Sequence, residues 1–380
     1  MTHSRTPVLL VALAALTAAI VTHAQGNDRE AERAFLTRAR RLTVEGRRAG
    51  EGYWSADGLR LVFQSERDAD NPFYQIFLMD LTTGDVSRVS PGVGKTTCAF
   101  INPVNDDILF ASTHHDPQSR QLQDEELAFR ASGQERRYSW DYDPQMDLYV
   151  RATASDALRR LTDTRGYDAE ASFSPDGRWV VFTSTRDAYG RALSPAEQTQ
   201  LETDPSYFGE IYVMRVEDGD ASARRLTQVP GYDGGPFFSP DGTRIIWRRF
   251  DEQGLIADVW TMNLDGTDQR QVTDFGAMSW APYIHPSGRY VIFSSNKLGF
   301  ENFELFLVDI DGAREPVRIT YSEGFDGLPV PSPDGTQLAW TSNRSGGREG
   351  QIYLAQWNHV QALAALDAAP RRSATGRSAR

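Results

Sequence analysis

Three acids stand at equivalent points of this chain, each behind an aromatic residue: Tyr167-Asp168, Tyr232-Asp233 and Phe325-Asp326. Carboxylates gathered at one place repel, and a metal ion or protonated amine relieves that repulsion. They do acid–base work only where their surroundings separate their pKa values. The alternative is that each Asp accepts hydrogen bonds from backbone at a strand start. A second group is Arg136, Tyr138, Trp140 and Tyr142, within Arg136-Arg137-Tyr138-Ser139-Trp140-Asp141-Tyr142-Asp143-Pro144. Tyr, Trp and Arg dominate binding hot spots; the same rings also suit packing of this segment onto the fold.

Other chemistry finds little support. The chain holds no H-E-x-x-H and no G-x-S-x-G, the spacings of zinc peptidases and of nucleophile elbows. Gly94-Lys95-Thr96 ends like a phosphate loop, but Val89 stands where the first glycine belongs. The histidines lack metal-ligand spacing, and the single Cys98 reads as a small buried hydrophobe.

The elements that must position these residues repeat six times. Strand ends recur as Arg41-Leu42-Thr43, Arg88-Val89-Ser90, Arg160-Leu161-Thr162, Arg225-Leu226-Thr227, Gln271-Val272-Thr273 and Arg318-Ile319-Thr320. Each precedes a tight turn, such as Ser174-Pro175-Asp176-Gly177 or Ser332-Pro333-Asp334-Gly335, in which Pro fixes φ and Gly accepts a positive one. Strands rich in β-branched and aromatic residues follow, such as Trp179 to Thr183 and Glu210 to Met214. Four short strands in a unit of about 45 residues make a propeller blade. The spacing predicts an all-β, six-bladed β-propeller over 38–357. The strand at Arg41-Leu42-Thr43 has no blade of its own, so it should complete the last one and remove a free edge.

Two units are long. The excess falls between second and third strands, at about 114–145 and 186–209, with helices expected near Gln121 to Arg130 and after the capping box Ser194-Pro195-Ala196-Glu197. These loops and the starts of the innermost strands lie on one face, so the three aspartates should ring that mouth of the channel beneath both insertions. Units two and five carry Thr96 and Ser279 at the aspartate position; in unit one no acid aligns, though Glu51 is near.

At the N-terminus, Arg5, the apolar run Pro7 to Val21 and Thr22-His23-Ala24 read as a signal peptide over 1–24. Fifteen apolar residues are short for a membrane span, so the mature chain is expected to have none and to be periplasmic or secreted. Residues 25–37 read as a linker. Asn358 should cap a short helix over 358–369 with Val360, Leu363 and Leu366 inward, and 370–380 reads as a disordered basic tail. The net charge of −12 disfavours nucleic acid, which demands a basic surface.

The Ser-Pro-Asp-Gly turns followed by strands such as Trp179 to Ser184 resemble the WD-like repeats of the TolB propeller family, over roughly 38–357. That resemblance implies a periplasmic module working through protein contacts. TolB itself carries an α/β domain before its propeller; only about 13 residues lie between the expected cleavage site and the first strand here, so that domain is not expected. Similar propellers are fused to zinc aminopeptidases or serine hydrolases; the sequence ends soon after the sixth unit, so neither catalytic domain is expected. The expected function is binding of a protein or peptide partner in the cell envelope, by a monomer, through the insertion-bearing face. No cofactor is called for, though a cation such as calcium would suit the acidic mouth. The competing readings are an enzyme, a propeller lyase or hydrolase, and an accessory propeller serving a separate peptidase.

Overall fold

A computed structural model describes residues 28–134, 140–346 and 349–372. Their strands form six four-stranded antiparallel sheets. From the channel outward, blade one is Arg48–Trp54, Arg60–Glu66, Gln75–Asp80 and Val86–Arg88, and blades two to five follow in chain order. Blade six is Asp326–Pro331, Gln337–Ser342 and Gln351–Trp357, with Leu36–Arg41 hydrogen-bonded along its outer side.

The Arg-Leu-Thr repeat is a seam between the third and fourth strands. Its hydroxyl accepts the backbone N–H that follows an acid or amide at the start of strand three. This holds in all six blades: Ile76 to Ser90 (3.0 Å), Leu148 to Thr162 (2.9 Å), Ile211 to Thr227 (2.9 Å), Val259 to Thr273 (2.9 Å), Leu305 to Thr320 (2.8 Å) and Ile352 to Thr43 (2.9 Å). The same hydroxyl donates to the acid or amide, as Ser90 does to Gln75 (2.7 Å) and Thr43 to Gln351 (2.7 Å). In the triplets of Arg160, Arg225 and Arg318 the guanidinium bonds the backbone of its own Thr and grips the acid, as Arg318 does with Thr320 O (2.7 Å) and Glu304 (2.6 Å). The middle residue is buried, from Val89 through Ile319. One triplet thus satisfies buried donors and acceptors that would otherwise each cost about 1–3 kcal/mol.

The turns are equally self-contained. Ser174 Oγ donates to Asp176 (2.6 Å), Gly177 N–H donates to Ser174 O (2.9 Å), and Gly177 holds φ at 68°. Both insertions contain the expected helices, Ser119–Ala131 in blade two and Pro195–Thr203 in blade three, the latter with its full capping box.

Three details depart from expectation. Residues 28–35, read as linker, are helical, and Phe35 stacks on Trp357 at 6.1 Å. In the helix His359–Ala368, capped by Asn358, Ala362 and Leu366 face inward while Val360 is 77% exposed. Arg371 and Arg372, read as tail, lie along blade five; Arg372 bonds Ala313 O through its N–H (2.9 Å) and Val272 O through Nη1 (2.8 Å). The signal peptide, Arg136, Tyr138 and residues 373–380 lie outside the described residues.

Candidate ligand well in the central channel

Each innermost strand breaks register once against its neighbour. At the break sits a residue with left-handed backbone: Glu51 (φ 56°), Cys98 (51°), Glu170 (54°), Gly235 (59°), Ala281 (49°) and Leu328 (56°), one per blade. A bulge of this kind re-aims a side chain and frees an N–H from the ladder. The freed N–H is caught by the preceding blade, as Glu51 N–H by Thr341 Oγ1 (3.1 Å), Gly235 N–H by Glu170 (2.7 Å) and Leu328 N–H by Ser294 Oγ (3.1 Å). These six residues form a ring around the axis.

Two residues deeper the channel is stoppered. Tyr53 meets Phe237 of the opposite blade with ring centroids 5.5 Å apart, Phe100 lies 5.4 Å from Tyr53, and Tyr283 lies 5.0 Å from Phe237. The rings meet across the channel between blades one, two, four and five, so the ring of bulge residues lines a well on their insertion-bearing side.

The wall of this well is charged at blades one, three and four. Glu51 accepts from Tyr53 OH (3.2 Å) and Cys98 Sγ (3.5 Å). Glu170 accepts from Tyr232 OH (2.6 Å), Gly235 N–H and Arg248 Nη2 (2.7 Å). Arg248 comes from the second strand of blade four; it is 7% exposed and lies over the Tyr232 and Trp280 rings at 5.2 and 5.6 Å. Its path crosses Gly235, where a Cβ would collide with Nη1. Burial, then the charge of Glu170, raises the Glu51 carboxyl to about 7, with Cys98, Arg248 and Tyr53 pulling it partly back. Burial and the nearby Glu51 hold the Cys98 thiol protonated, well above its ordinary range.

The sequence-predicted residues sit around this well. Asp168, Asp233 and Asp326 are buried at the mouth level, but each is spent within its own blade instead of converging with the others. Arg249 holds Asp233 with two bonds of 2.8 Å, Arg344 and Trp340 Nε1 hold Asp326 at 2.7 and 3.0 Å, and Arg186 with Ser184 holds Asp168. Each arginine also covers an aromatic pair: Arg186 over Phe182 and Tyr212, Arg249 over Trp247 and Trp260, Arg344 over Trp340 and Tyr353. Burial raises the Asp168 carboxyl to about 6 against the pull of Arg186. The aspartates therefore position arginines; the acids that face the channel are Glu51 and Glu170.

Trp140 and Tyr142 reach the mouth itself. Trp140 Nε1 donates to Tyr167 OH (2.9 Å), and Tyr142 meets Tyr167 and Tyr232 edge-on at 5.1 and 5.5 Å. Lys95 ties the segment down through Asp141 and Asp143 (2.7 Å to the latter). The rings pack onto blades three and four and at the same time roof the Glu170–Arg248 side of the well. Among the described residues no group of three His, Cys, Asp or Glu side chains is placed to hold a metal ion.

Six four-stranded blades around a central channel make this a six-bladed β-propeller, a fold it shares with solved TolB structures. No protein-family profile matches the chain. It is 30% identical over 176 residues to an uncharacterised protein of Agrobacterium fabrum, covering 44% of this chain and 52% of that one. It is 30% identical over 141 residues to a TolB homolog of Chlorobium luteolum, covering 30% and 32%. The matches thus span about half and about a third of these relatives' lengths. Among solved structures, one assigned as a TolB from Agrobacterium tumefaciens superposes with TM-score 0.54 at 19% identity, over 82% of this chain and 90% of that one. An oligogalacturonate lyase from Vibrio parahaemolyticus gives 0.51 at 12% identity, over 85% and 94%. These two likenesses are likenesses of fold.

Proposed function

We propose that this chain is an exported, TolB-like binding module that receives a protein or peptide partner at the insertion-bearing mouth of its propeller. The observation that carries the reading is the blind well: a charged wall above an aromatic floor, roofed on one side by Trp140 and Tyr142. Such a site offers aromatic contact area at the rim and desolvated polar groups below, the combination that concentrates binding energy. Export rests on the N-terminal sequence; among the described residues no helix is long and apolar enough to cross a membrane.

The test is a binding isotherm for envelope proteins recovered with the full chain, repeated with Trp140→Ala and Tyr142→Ala. Each truncation should weaken binding by about 2 kcal/mol, the scale of a hot-spot residue, while the unfolding midpoint shifts far less. Unchanged affinity in both variants overturns the role of this mouth.

One observation favours a second reading. A carboxyl poised at about 7 beside another acid suits general acid–base catalysis near neutral pH, as a lyase or hydrolase acting within the well would use. Turnover of oligouronates or peptides that vanishes in Glu51→Gln would establish it.

A further inference from the structure

The well carries two carboxylates and one guanidinium, and its hydrogen bonding is incomplete on both signs. Arg248 commits Nη2 to Glu170 and, at 3.4 Å, to Tyr232. Its Nε is buried with no acceptor among the described residues, a donor left at full desolvation cost. Opposite it, on blade one, Glu51 has only a phenol and a thiol as donors to its side chain, both long. Glu170 has its positive partner; Glu51 has none in contact. A ligand that completes the cluster would bring a positive charge to Glu51 and an acceptor oxygen to Arg248. The remaining wall is apolar, made by Ala281 of blade five and Leu328 of blade six.

We infer that the well receives the amino-terminal residue of a peptide, its ammonium group bound by Glu51 and its first carbonyl by the guanidinium of Arg248, with a small apolar first side chain lying against Ala281 and Leu328. This rests on the peptide-binding reading above and narrows it. A terminal residue suits a blind well because the floor of Tyr53, Phe100, Phe237 and Tyr283 stops a chain from passing through. An internal segment would have to enter as a loop, with both strands crowding past Tyr142. A free carboxylate as the entering group would meet Glu51 and Glu170 as well as Arg248, and like charges in a desolvated site repel.

The experiment is calorimetric titration of the full chain with tripeptide amides X-Ala-Ala-NH2, against the same peptides acetylated at the N-terminus. The expected result is that Ala and Val at X bind, that Asp at X binds more weakly, and that acetylation lowers affinity at least about tenfold, the equivalent of 1.4 kcal/mol. Glu51→Gln should bring the free and acetylated peptides to similar affinity. Arg248→Lys, which keeps the charge and loses the planar guanidinium donors, should weaken the free peptide while the preference over the acetylated form survives. Equal binding of free and acetylated peptides by the unmodified chain overturns the terminal-residue inference and leaves peptide binding standing. If tripeptide amides of neither form bind while envelope proteins still do, the inference falls alone; if neither class binds, both readings fall.

Discussion

The outer seams and the inner ring of this propeller are built on the same sixfold backbone, and they treat it in opposite ways. Along the seams the side chains repeat with the backbone: a hydroxyl at every Thr43, Ser90, Thr162, Thr227, Thr273 and Thr320 makes the same bond. Around the ring the backbone repeats, with one left-handed residue per blade, while the side chains run Glu, Cys, Glu, Gly, Ala, Leu. Where side chains repeat, they answer to a demand every blade shares, the pairing of its fourth strand. Where only backbone repeats, the side chains are free to answer to something outside the fold. The charged half of the ring, with Gly235 opened so that Arg248 can enter, is where this molecule departs from its own symmetry.

The largest test of that contrast removes a seam. Deleting residues 36–43 strips blade six of its outer strand and of the Thr43 bonds to Gln351 and Ile352. The expected cost is on the order of 5–15 kcal/mol, comparable with the whole stability of a domain, seen as loss of cooperative unfolding by circular dichroism. Removing 373–380 should leave the transition nearly in place. A deletion that unfolds like the intact chain would mean that the seam is decoration.

An intermediate effect is expected at the junction of the two regions. Gly235→Ala places a Cβ on left-handed backbone and against Arg248 Nη1. Backbone strain alone costs about 1–3 kcal/mol, and the guanidinium must leave Glu170. Urea unfolding should show the loss; the same substitution at Gly254, with φ of 67° and open space around it, should show only the strain.

The smallest effect has the opposite sign. The folded chain holds the Glu51 proton up to about pH 7, whereas the unfolded chain releases it near 4.5. The folded state therefore binds more protons between these values, and stability falls as pH rises through that window and stays lower above it. Glu51→Gln removes the penalty. It should raise stability at pH 8 by roughly 1–2 kcal/mol, discounted from the full shift because the side chain keeps some access to the channel, and change little at pH 4. A variant less stable than the parent at pH 8 would show that the charge at Glu51 serves the fold.

The sequence displayed the seams and turns because each is local, a triplet or a quartet whose bonds close on itself or its neighbour strand. It displayed the aspartates for the same reason, since they too repeat. What it hid was which of two alternating positions faces the axis. Asp168 and Glu170 are two residues apart and should share a face of a regular strand. The bulge between Ala169 and Ser172 breaks that alternation: Asp168 turns back to Arg186 and Glu170 turns into the well. The pair Arg248 and Arg249 was equally mute, one bound for the channel and the other for Asp233. The mixed column of Glu51, Cys98, Glu170, Gly235, Ala281 and Leu328 was the available signal, a repeated position without a repeated residue.

On the binding reading proposed above, the stopper of Tyr53, Phe100, Phe237 and Tyr283 would also set how a ligand comes and goes. A tube open at both ends can pass cargo along, and its entry and exit can be tuned apart. A tube corked at the bottom has one door, so arrival and departure share the gap beside Tyr142. Anything that narrows this gap slows both steps together and lengthens residence without new contacts in the well. On that reading the time of occupancy would be set at the segment tethered by Lys95 to Asp141 and Asp143, rather than by the residues that touch the ligand.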